Sequence, residues 1–122
     1  MYKIQKTMEV SASHQLDLDY ESPCRNLHGH NYFITVYARC KELDKHGMVI
    51  DFTHLKKAVH DRFDHRHLNP LMGGYNPTAE NMAKLIADSL NNNRNEDEAR
   101  GLYIYRVDVE ETKNNIATWE ED

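Results

Sequence analysis

The sequence predicts an α+β fold, in which an antiparallel β-sheet carries two α-helices on one face. Period-two alternation of apolar residues marks residues 32–40 and 103–109 as half-buried strands. Helical spacing of apolar residues marks the stretches that follow Asp51 and Thr78. The resulting order, β-β-α-α-β-β, groups the helices between two pairs of strands, which is typical of an α+β layout.

The first third of the chain contains two predicted strands. Residues 2–12 mix β-branched and polar side chains without helical periodicity, and we interpret them as the first strand, with His14 just beyond its end. Residues 17–27 combine Asp, Ser, Pro, Asn and Cys in an irregular order that is typical of a loop. From Tyr32 to Cys40 every even position is apolar, which predicts the second strand.

Two amphipathic helices are predicted next. Asp51 is a good N-cap, and apolar side chains then follow helical spacing at Phe52, Leu55, Val59 and Phe63. A connector with two prolines and a Gly-Gly pair precedes a second helix, which starts near Thr78 and ends in the asparagine run 91–93. Its apolar face is expected to consist of Met82, Leu85, Ile86 and Leu90.

The last third contains a predicted hairpin. The polar run 91–101 predicts a solvated loop, residues 103–109 alternate as a strand, and residues 114–121 are expected to pair back on them. A length of 122 residues suits one domain, so we expect a single domain over residues 1–122. A sheet with open edges on so small a core also favours association with further copies of the chain.

Composition and charge exclude several classes of function. The net charge is −5, and no run of Lys or Arg exceeds a pair, so no nucleic-acid partner is expected. The N-terminal stretch lacks the apolar segment of a signal peptide, and no run approaches the length of a membrane span. Cys24 and Cys40 are too few for a disulfide framework, and we expect free thiols in a cytoplasmic protein.

Histidine is unusually frequent, with eight copies in the chain. His28 and His30 flank Gly29 just before the second strand, and side chains at i and i+2 of an extended segment point to the same side. With His14 as a third ligand they would supply the three nitrogens of a catalytic zinc site that keeps one position open. The alternative is that His-Gly-His forms a polar surface turn.

Three further groups are candidates for proton transfer or binding. Cys24 lies near the predicted cation, which would favour its thiolate and make it a base or nucleophile; an inert thiol is the alternative. Asp64 could orient His65 as a general acid or base, although the sequence alone favours the alternative, a solvated pair at the end of the helix. Glu110 and Glu111 point to opposite faces of a strand, so one of them at most faces a given site.

These residues resemble the 6-pyruvoyltetrahydropterin synthase superfamily, which includes the bacterial 6-carboxytetrahydropterin synthases. The resemblance runs the length of the chain, and the order and spacing of its motifs make it specific. The matching segments are Ser13-His14, residues 24–31 (CRNLHGHN), 49–52 (VIDF), Leu55-Lys56, 63–69 (FDHRHLN), 76–81 (NPTAEN) and Glu111-Thr112.

The resemblance implies a fold and a set of site residues. It implies the tunnelling fold, whose subunits form a β-barrel trimer and stack as two trimers into a homohexamer with active sites at subunit interfaces. It implies zinc held by His14, His28 and His30, and Cys24 as the base. It implies that Asp64 orients His65 in a triad completed across a subunit boundary. It also implies that Glu111 anchors the pterin ring and that Thr78 lies near it.

The implied substrate is 7,8-dihydroneopterin triphosphate, and two products are known in the superfamily. Three residues separate Cys24 from His28, which looks like the 6-carboxy type of 7-deazaguanine and queuosine synthesis. The tail from Glu111 to Ile116 looks more like the 6-pyruvoyl type, which stays the alternative. A zinc-stabilised binding module without catalysis is a third hypothesis. Arg25 and the Arg66-His67 pair are the candidates for contacts with the triphosphate.

Overall fold

The computed structural model describes residues 1–122 and contains one five-stranded sheet in the order β3-β1-β2-β4-β5. Its strands are β1 (Tyr2–His14), β2 (His28–Cys40), β3 (Arg66–His67), β4 (Tyr103–Thr112) and β5 (Asn115–Glu120). The four long strands are antiparallel neighbours, and the expected α+β fold is confirmed. β3 runs parallel to the end of β1 and was not predicted. Both of its residues are exposed, so the sequence shows no alternation of apolar and polar residues there.

Both predicted helices form, and both begin at the predicted caps. Helix α1 covers residues 52–63 and consists of α-helical Phe52–Leu55, π-helical Lys56–His60 and α-helical Asp61–Phe63. Asp51 caps it by accepting the backbone N–H of Thr53 at 2.8 Å. Helix α2 is Ala79–Asn92, and the hydroxyl of Thr78 accepts the backbone N–H of Asn81 at 3.1 Å. The π-helical turn was not predicted.

The polar run predicted as a solvated loop after α2 is instead partly helical. A 3₁₀ helix forms over Asn95–Arg100 and ends at Gly101, whose φ of +81° lies in the left-handed region that glycine adopts readily. A tertiary contact stabilises this 3₁₀ helix, since the guanidinium of Arg100 donates a hydrogen bond to the backbone carbonyl of Val49 at 2.6 Å. Shorter 3₁₀ helices form at Pro23–Arg25 and Asn69–Leu71.

One apolar core lies between the sheet and the two helices. The inward side chains of the strands and those of both helices form a single buried cluster, so both helices cover the same face, as predicted. Its largest members include Tyr32, Ile34, Leu55, Phe63 and Met82. Phe52 was expected in this core but is 49% exposed, and its ring lies 5.7 Å from Lys6 Nζ of β1, outside the buried cluster.

Two asparagines hold the chain where it leaves β1. The side-chain amide of Asn69 accepts the backbone N–H of Gln15 at 2.9 Å and donates to its carbonyl at 2.8 Å. Asn76 forms the same pair of hydrogen bonds with Asp17, at 2.8 and 3.0 Å. These amides act as substitutes for a neighbouring strand, and they fix the start of the loop that carries Cys24.

The longest helix has 14 residues, and no helix of the structure is long and apolar enough to span a bilayer.

Candidate active site

The strand register brings the three predicted histidines together. His14 ends β1 and pairs directly with His28, which begins β2, while His30 pairs with Ala12 two positions along. Because i and i+2 share a face, all three imidazoles converge, with ring centroids 4.5–5.1 Å apart. One nitrogen from each ring lies within 4.8 Å of the others. The surface-turn alternative does not fit, because His28, Gly29 and His30 are the first residues of β2 and pair with the end of β1.

Backbone carbonyls fix how two of these rings carry their protons. His14 Nδ1 lies 2.7 Å from the carbonyl oxygen of Pro77, and His28 Nδ1 lies 2.7 Å from that of Asn26. A carbonyl oxygen only accepts hydrogen bonds, so both Nδ1 atoms must carry the hydrogen. In the neutral rings both Nε2 atoms therefore carry no hydrogen and are bare lone-pair donors, and they lie 3.0 Å apart. Two facing lone pairs at this distance repel each other, and a metal cation held between them would remove this repulsion.

The third imidazole and a carboxylate complete a site that fits a metal ion. His30 Nε2 is buried and has no hydrogen-bond partner. The carboxylate of Glu111 lies 3.6 Å from His30 Nε2 and 3.9 Å from His14 Nε2. Nitrogen ligands around tetrahedral zinc lie about 3.3 Å from one another, which is close to the separation of His14 and His28. The arrangement of bare nitrogens beside a carboxylate suits a divalent cation.

Burial keeps the imidazoles in the form that binds a metal. Burial lowers the pKa of His14, outweighing the contact with the Pro77 carbonyl. Burial likewise lowers the pKa of His30, against the attraction of Glu111. Tyr32 places its hydroxyl 3.1 Å from His14 Nδ1, and burial raises the pKa of Tyr32 so that the phenol stays protonated. Neutral imidazoles are the metal-binding species.

Glu111 lies between the histidines and a cavity of about 350 Å³. The register of β4 and β5 shifts between Glu110 and Thr112, and Glu111 turns toward the imidazoles while Glu110 accepts the backbone N–H of Asn114. The expectation that the two glutamates diverge is met. The cavity is lined by Ala79, Glu80, Glu111, Asn114, Asn115, Ile116 and Ala117.

Asp64 and His65 form the predicted carboxylate–imidazole pair. Asp64 accepts His65 Nδ1–H at 2.8 Å and the backbone N–H of Ser11 at 2.9 Å, and the Ser11 contact, followed by His65, holds the pKa of Asp64 below its usual range. His60 Nε2 lies 3.4 Å from the same carboxylate. His65 has a φ of +58° and an 82% exposed side chain, so its free nitrogen points away from the chain.

The remaining two predicted residues lie apart from these groups. Cys24 is half-buried in the 3₁₀ helix Pro23–Arg25, and its carbonyl accepts the backbone N–H of Leu16 at 2.9 Å. No hydrogen bond joins Cys24 to Asp64 or His65 within one chain. Thr78 caps α2 directly after Pro77, whose carbonyl holds His14. The structure thus ties Thr78 to the histidine cluster through the backbone.

Four contributors were missed by the sequence analysis. The carbonyls of Pro77 and Asn26 leave no pattern in the sequence, because any residue offers a carbonyl. Tyr32 could have been found, since it follows His30 by two positions and shares its face of β2. His60 could also have been found, since it precedes Asp64 by one helical turn.

Comparison with known proteins gives consistent matches. The family described as 6-pyruvoyl tetrahydropterin synthase matches residues 3–122. A 6-carboxy-5,6,7,8-tetrahydropterin synthase of Synechocystis sp. is 34% identical over 127 residues, covering 98% of this chain and 93% of that protein. The protein of the same name from Bacillus subtilis is 34% identical over 95 residues, or 73% of this chain.

The structure also matches that of Caenorhabditis elegans 6-pyruvoyl tetrahydropterin synthase, with a TM-score of 0.75 and 30% identity over 99% of this chain and 96% of that one. Coverage of the sequence relatives varies. The chain covers 65% of the length of the B. subtilis protein and 40% of a relative from Pyrococcus horikoshii.

Proposed function

This chain belongs to the 6-pyruvoyl tetrahydropterin synthase family, and on that premise we propose that it is a zinc-dependent lyase acting on 7,8-dihydroneopterin triphosphate. The reaction would consume one water, and the products would be 6-carboxy-5,6,7,8-tetrahydropterin, acetaldehyde and triphosphate, as in queuosine and 7-deazaguanine synthesis. The observation that carries the proposal is the facing pair of bare Nε2 atoms of His14 and His28, with His30 Nε2 unpartnered and Glu111 beside it.

His14, His28 and His30 would hold the zinc, and a bound zinc ion would stabilise negative charge that develops on oxygens of the substrate side chain. The backbone carbonyls of Pro77 and Asn26 keep the ring nitrogens of His14 and His28 oriented for this role. We assign Glu111 to anchor the pterin ring, since a carboxylate can accept two parallel N–H groups and Glu111 lines the adjacent cavity. Thr78 supports the same site as the cap of α2.

Proton transfer is assigned to Cys24 and His65. The Asp64 carboxylate accepts Nδ1–H of His65 and so directs its Nε2 outward, where it can take up or release a proton at the substrate side chain. Cys24 would act as the base. No hydrogen bond joins Cys24 to the Asp64–His65 pair within one chain, and we propose that the triad joins residues of two subunits.

We propose a homohexamer of two stacked trimers, with strands of three chains closing one β-barrel. The outer edge of β5 and most of the outer edge of β1 are unpaired in the single chain, and barrel closure would pair them. Native mass spectrometry tests this directly: a particle of six 14.3 kDa chains is expected, and a monomer alone would contradict it. The single domain and the cytoplasmic location stay predictions.

Product analysis tests the reaction. The purified, zinc-loaded protein is incubated with 7,8-dihydroneopterin triphosphate, and products are identified by mass spectrometry together with an acetaldehyde assay. Acetaldehyde with a 6-carboxy pterin supports the proposal. The alternative is a 6-pyruvoyl product formed by elimination of triphosphate alone, which the likeness to the C. elegans 6-pyruvoyl tetrahydropterin synthase and the tail from Glu111 to Ile116 favour.

A matched pair of variants separates catalysis from a zinc-stabilised binding module. Cys24→Ala is expected to fold, to bind zinc with the wild-type stoichiometry and to lose nearly all turnover. Cys40 is a buried thiol of the core, so Cys40→Ala serves as the control and should keep turnover if it folds. Turnover of Cys24→Ala equal to that of Cys40→Ala would remove Cys24 from the mechanism.

A further inference from the structure

His60 lies beside the Asp64–His65 pair, on the preceding turn of α1. Its Nε2 lies 3.4 Å from Oδ2 of Asp64, the same oxygen that accepts Nδ1–H of His65 at 2.8 Å. The backbone joins the same residues, because the N–H of Asp64 donates to the carbonyl of His60 at 2.8 Å. All three residues belong to one chain, so the group is complete before any other subunit is added.

A second carboxylate holds the other side of the His60 ring. Nδ1 of His60 lies 2.9 Å from Oδ1 of Asp61, and this contact is the main reason that the pKa of Asp61 lies below its usual range. An ionised carboxylate only accepts hydrogen bonds, so Nδ1 carries the hydrogen, and a neutral ring would turn a bare Nε2 toward Asp64. Only the doubly protonated ring offers an N–H to both carboxylates.

The carboxylate of Asp64 is the only group that orients the ring of His65. That ring is 82% exposed, and its hydrogen bond to Asp64 is the one side-chain contact that it forms. Oδ1 of Asp64 is fixed by the backbone N–H of Ser11 at 2.9 Å, whereas Oδ2 has only His65 and His60 beside it. Without His60, Oδ2 would be tied to an exposed ring alone, and carboxylate and ring could turn together.

Charged side chains of the neighbouring elements are engaged elsewhere. On β1, Lys6 lies over an aromatic ring at the start of α1, and Glu9 is on the face of the strand that points away from the helices. On α2, Lys84 and Asp88 pair with each other at 2.8 Å. Arg66 directly follows His65 and is present in every variant below. The ion pairs within the group therefore join residues of α1 and its C-terminal end, namely Lys56, His60, Asp61, Asp64 and His65.

We propose that His60, in its doubly protonated form, is a positioning residue that holds the Asp64 carboxylate and, through it, the imidazole of His65 in the orientation needed for proton transfer. The inference rests on the proposed function and adds a residue to the proton-transfer group. His60 ends the π-helical turn Lys56–His60, and turns of this kind are frequent at functional sites. Its side chain is 28% exposed and lies outside the buried core, which makes it suitable for substitution.

Long-range proton–nitrogen NMR spectra of the full-length protein test the arrangement without requiring turnover. At about pH 7 they report which ring nitrogens carry a hydrogen. Both nitrogens of His60 should be protonated in the wild type, and the neutral form of His65 should carry its hydrogen on Nδ1. In His60→Leu the share of His65 with the hydrogen on Nδ1 should fall. His54→Leu removes an exposed histidine of the same helix and should leave His65 unchanged.

Steady-state kinetics of the zinc-loaded protein supply the second readout. His60→Leu should lower kcat about tenfold, the lower end of the range for partners that orient a functional side chain, and leave KM unchanged. His60→Arg keeps a cation with N–H donors one helical turn before Asp64 and should recover most of kcat. If His60 acts through Asp64, adding His60→Leu to Asp64→Asn should cause no further loss.

The outcomes separate this inference from the proposed function. A bare Nε2 on His60 in the wild-type spectrum, which requires no variant, overturns the inference. A kcat of His60→Leu equal to that of His54→Leu, or a loss that persists in full beside Asp64→Asn, overturns it as well and leaves the proposed function intact. A protein that does not turn over the pterin removes the proposed reaction, and the nitrogen spectra of His60 and His65 then decide the inference alone.

Discussion

Acid should destabilise the metal-free protein through two of its clustered histidines. Burial lowers the pKa of His14 and His30 below the ordinary value of 6.5, so the folded chain keeps both rings neutral where the unfolded chain protonates them. The unfolded state then binds more protons, and the free energy of unfolding decreases as the pH decreases. This loss begins near pH 6.5 and continues down to the lower pKa values of the folded state.

The number of protons sets the size of the effect. Each proton bound only by the unfolded chain changes the free energy of unfolding by at most about 1.4 kcal/mol per pH unit. Two such rings give an upper limit of about 2.7 kcal/mol per pH unit. For a small domain with a total stability of about 5–15 kcal/mol, this slope is large enough to measure across a single pH unit.

Urea denaturation at several pH values from about 7.5 to about 5.5, after removal of metal, measures the slope. His30→Gln should reduce it by up to about 1.4 kcal/mol per pH unit, one proton's share. His46→Gln removes an exposed histidine of the turn after β2 and should leave the slope unchanged. The burial argument is wrong if the wild-type profile is flat below pH 6.5, or if His30→Gln and His46→Gln give the same slope.

Three sets of substitutions test the fold around the site by urea denaturation. Phe63→Ala removes a fully buried ring and should lower the free energy of unfolding by about 3–5 kcal/mol. Phe52→Ala removes a half-exposed ring and should lower it by less than about 1 kcal/mol. Equal losses would contradict the assigned core. Thr78→Ala should lower the free energy of unfolding by about 1 kcal/mol, because it removes the hydroxyl that caps α2. Thr78→Ser keeps the hydroxyl and should change the free energy of unfolding very little. Equal effects of the two substitutions would exclude capping. Asn76→Asp sets a carboxylate against the Asp17 carbonyl and should cost about 1–3 kcal/mol, and an unchanged stability would rule out this contact.

Local patterns were sufficient for the main elements but not for their ends. The alternation of β2 is readable only from Tyr32, yet the strand begins at His28, because its first residues pair with the end of β1. Those residues are His, Gly, His and Asn, which carry no apolar alternation. β3 depends entirely on tertiary pairing, and the π-helical turn Lys56–His60 inserts an extra residue that propensity does not indicate.

The ligands of the candidate site could be predicted from the sequence, but their orientation could not. His28 and His30 are set by period two alone, and the pairing of β1 with β2 adds His14. The register of β4 and β5 shifts beside Glu111, between Glu110 and Thr112, and irregularities of this kind have no simple sequence signal. The proton positions on His14 and His28 depend on two backbone carbonyls contributed by distant or irregular segments, which exist only in the folded chain.

The positions of Asn69 and Asn76 in the sequence also affect how readily their side chains deamidate. An asparagine deamidates most readily when the backbone nitrogen of the next residue attacks the side-chain carbonyl, and a proline nitrogen has no hydrogen and is fully substituted. Asn69 precedes Pro70 and Asn76 precedes Pro77, whereas the exposed Asn114 in the β4–β5 turn precedes Asn115. The two side chains that hold the start of the Cys24 loop are therefore protected from this reaction, whereas Asn114 in the hairpin turn has no such protection.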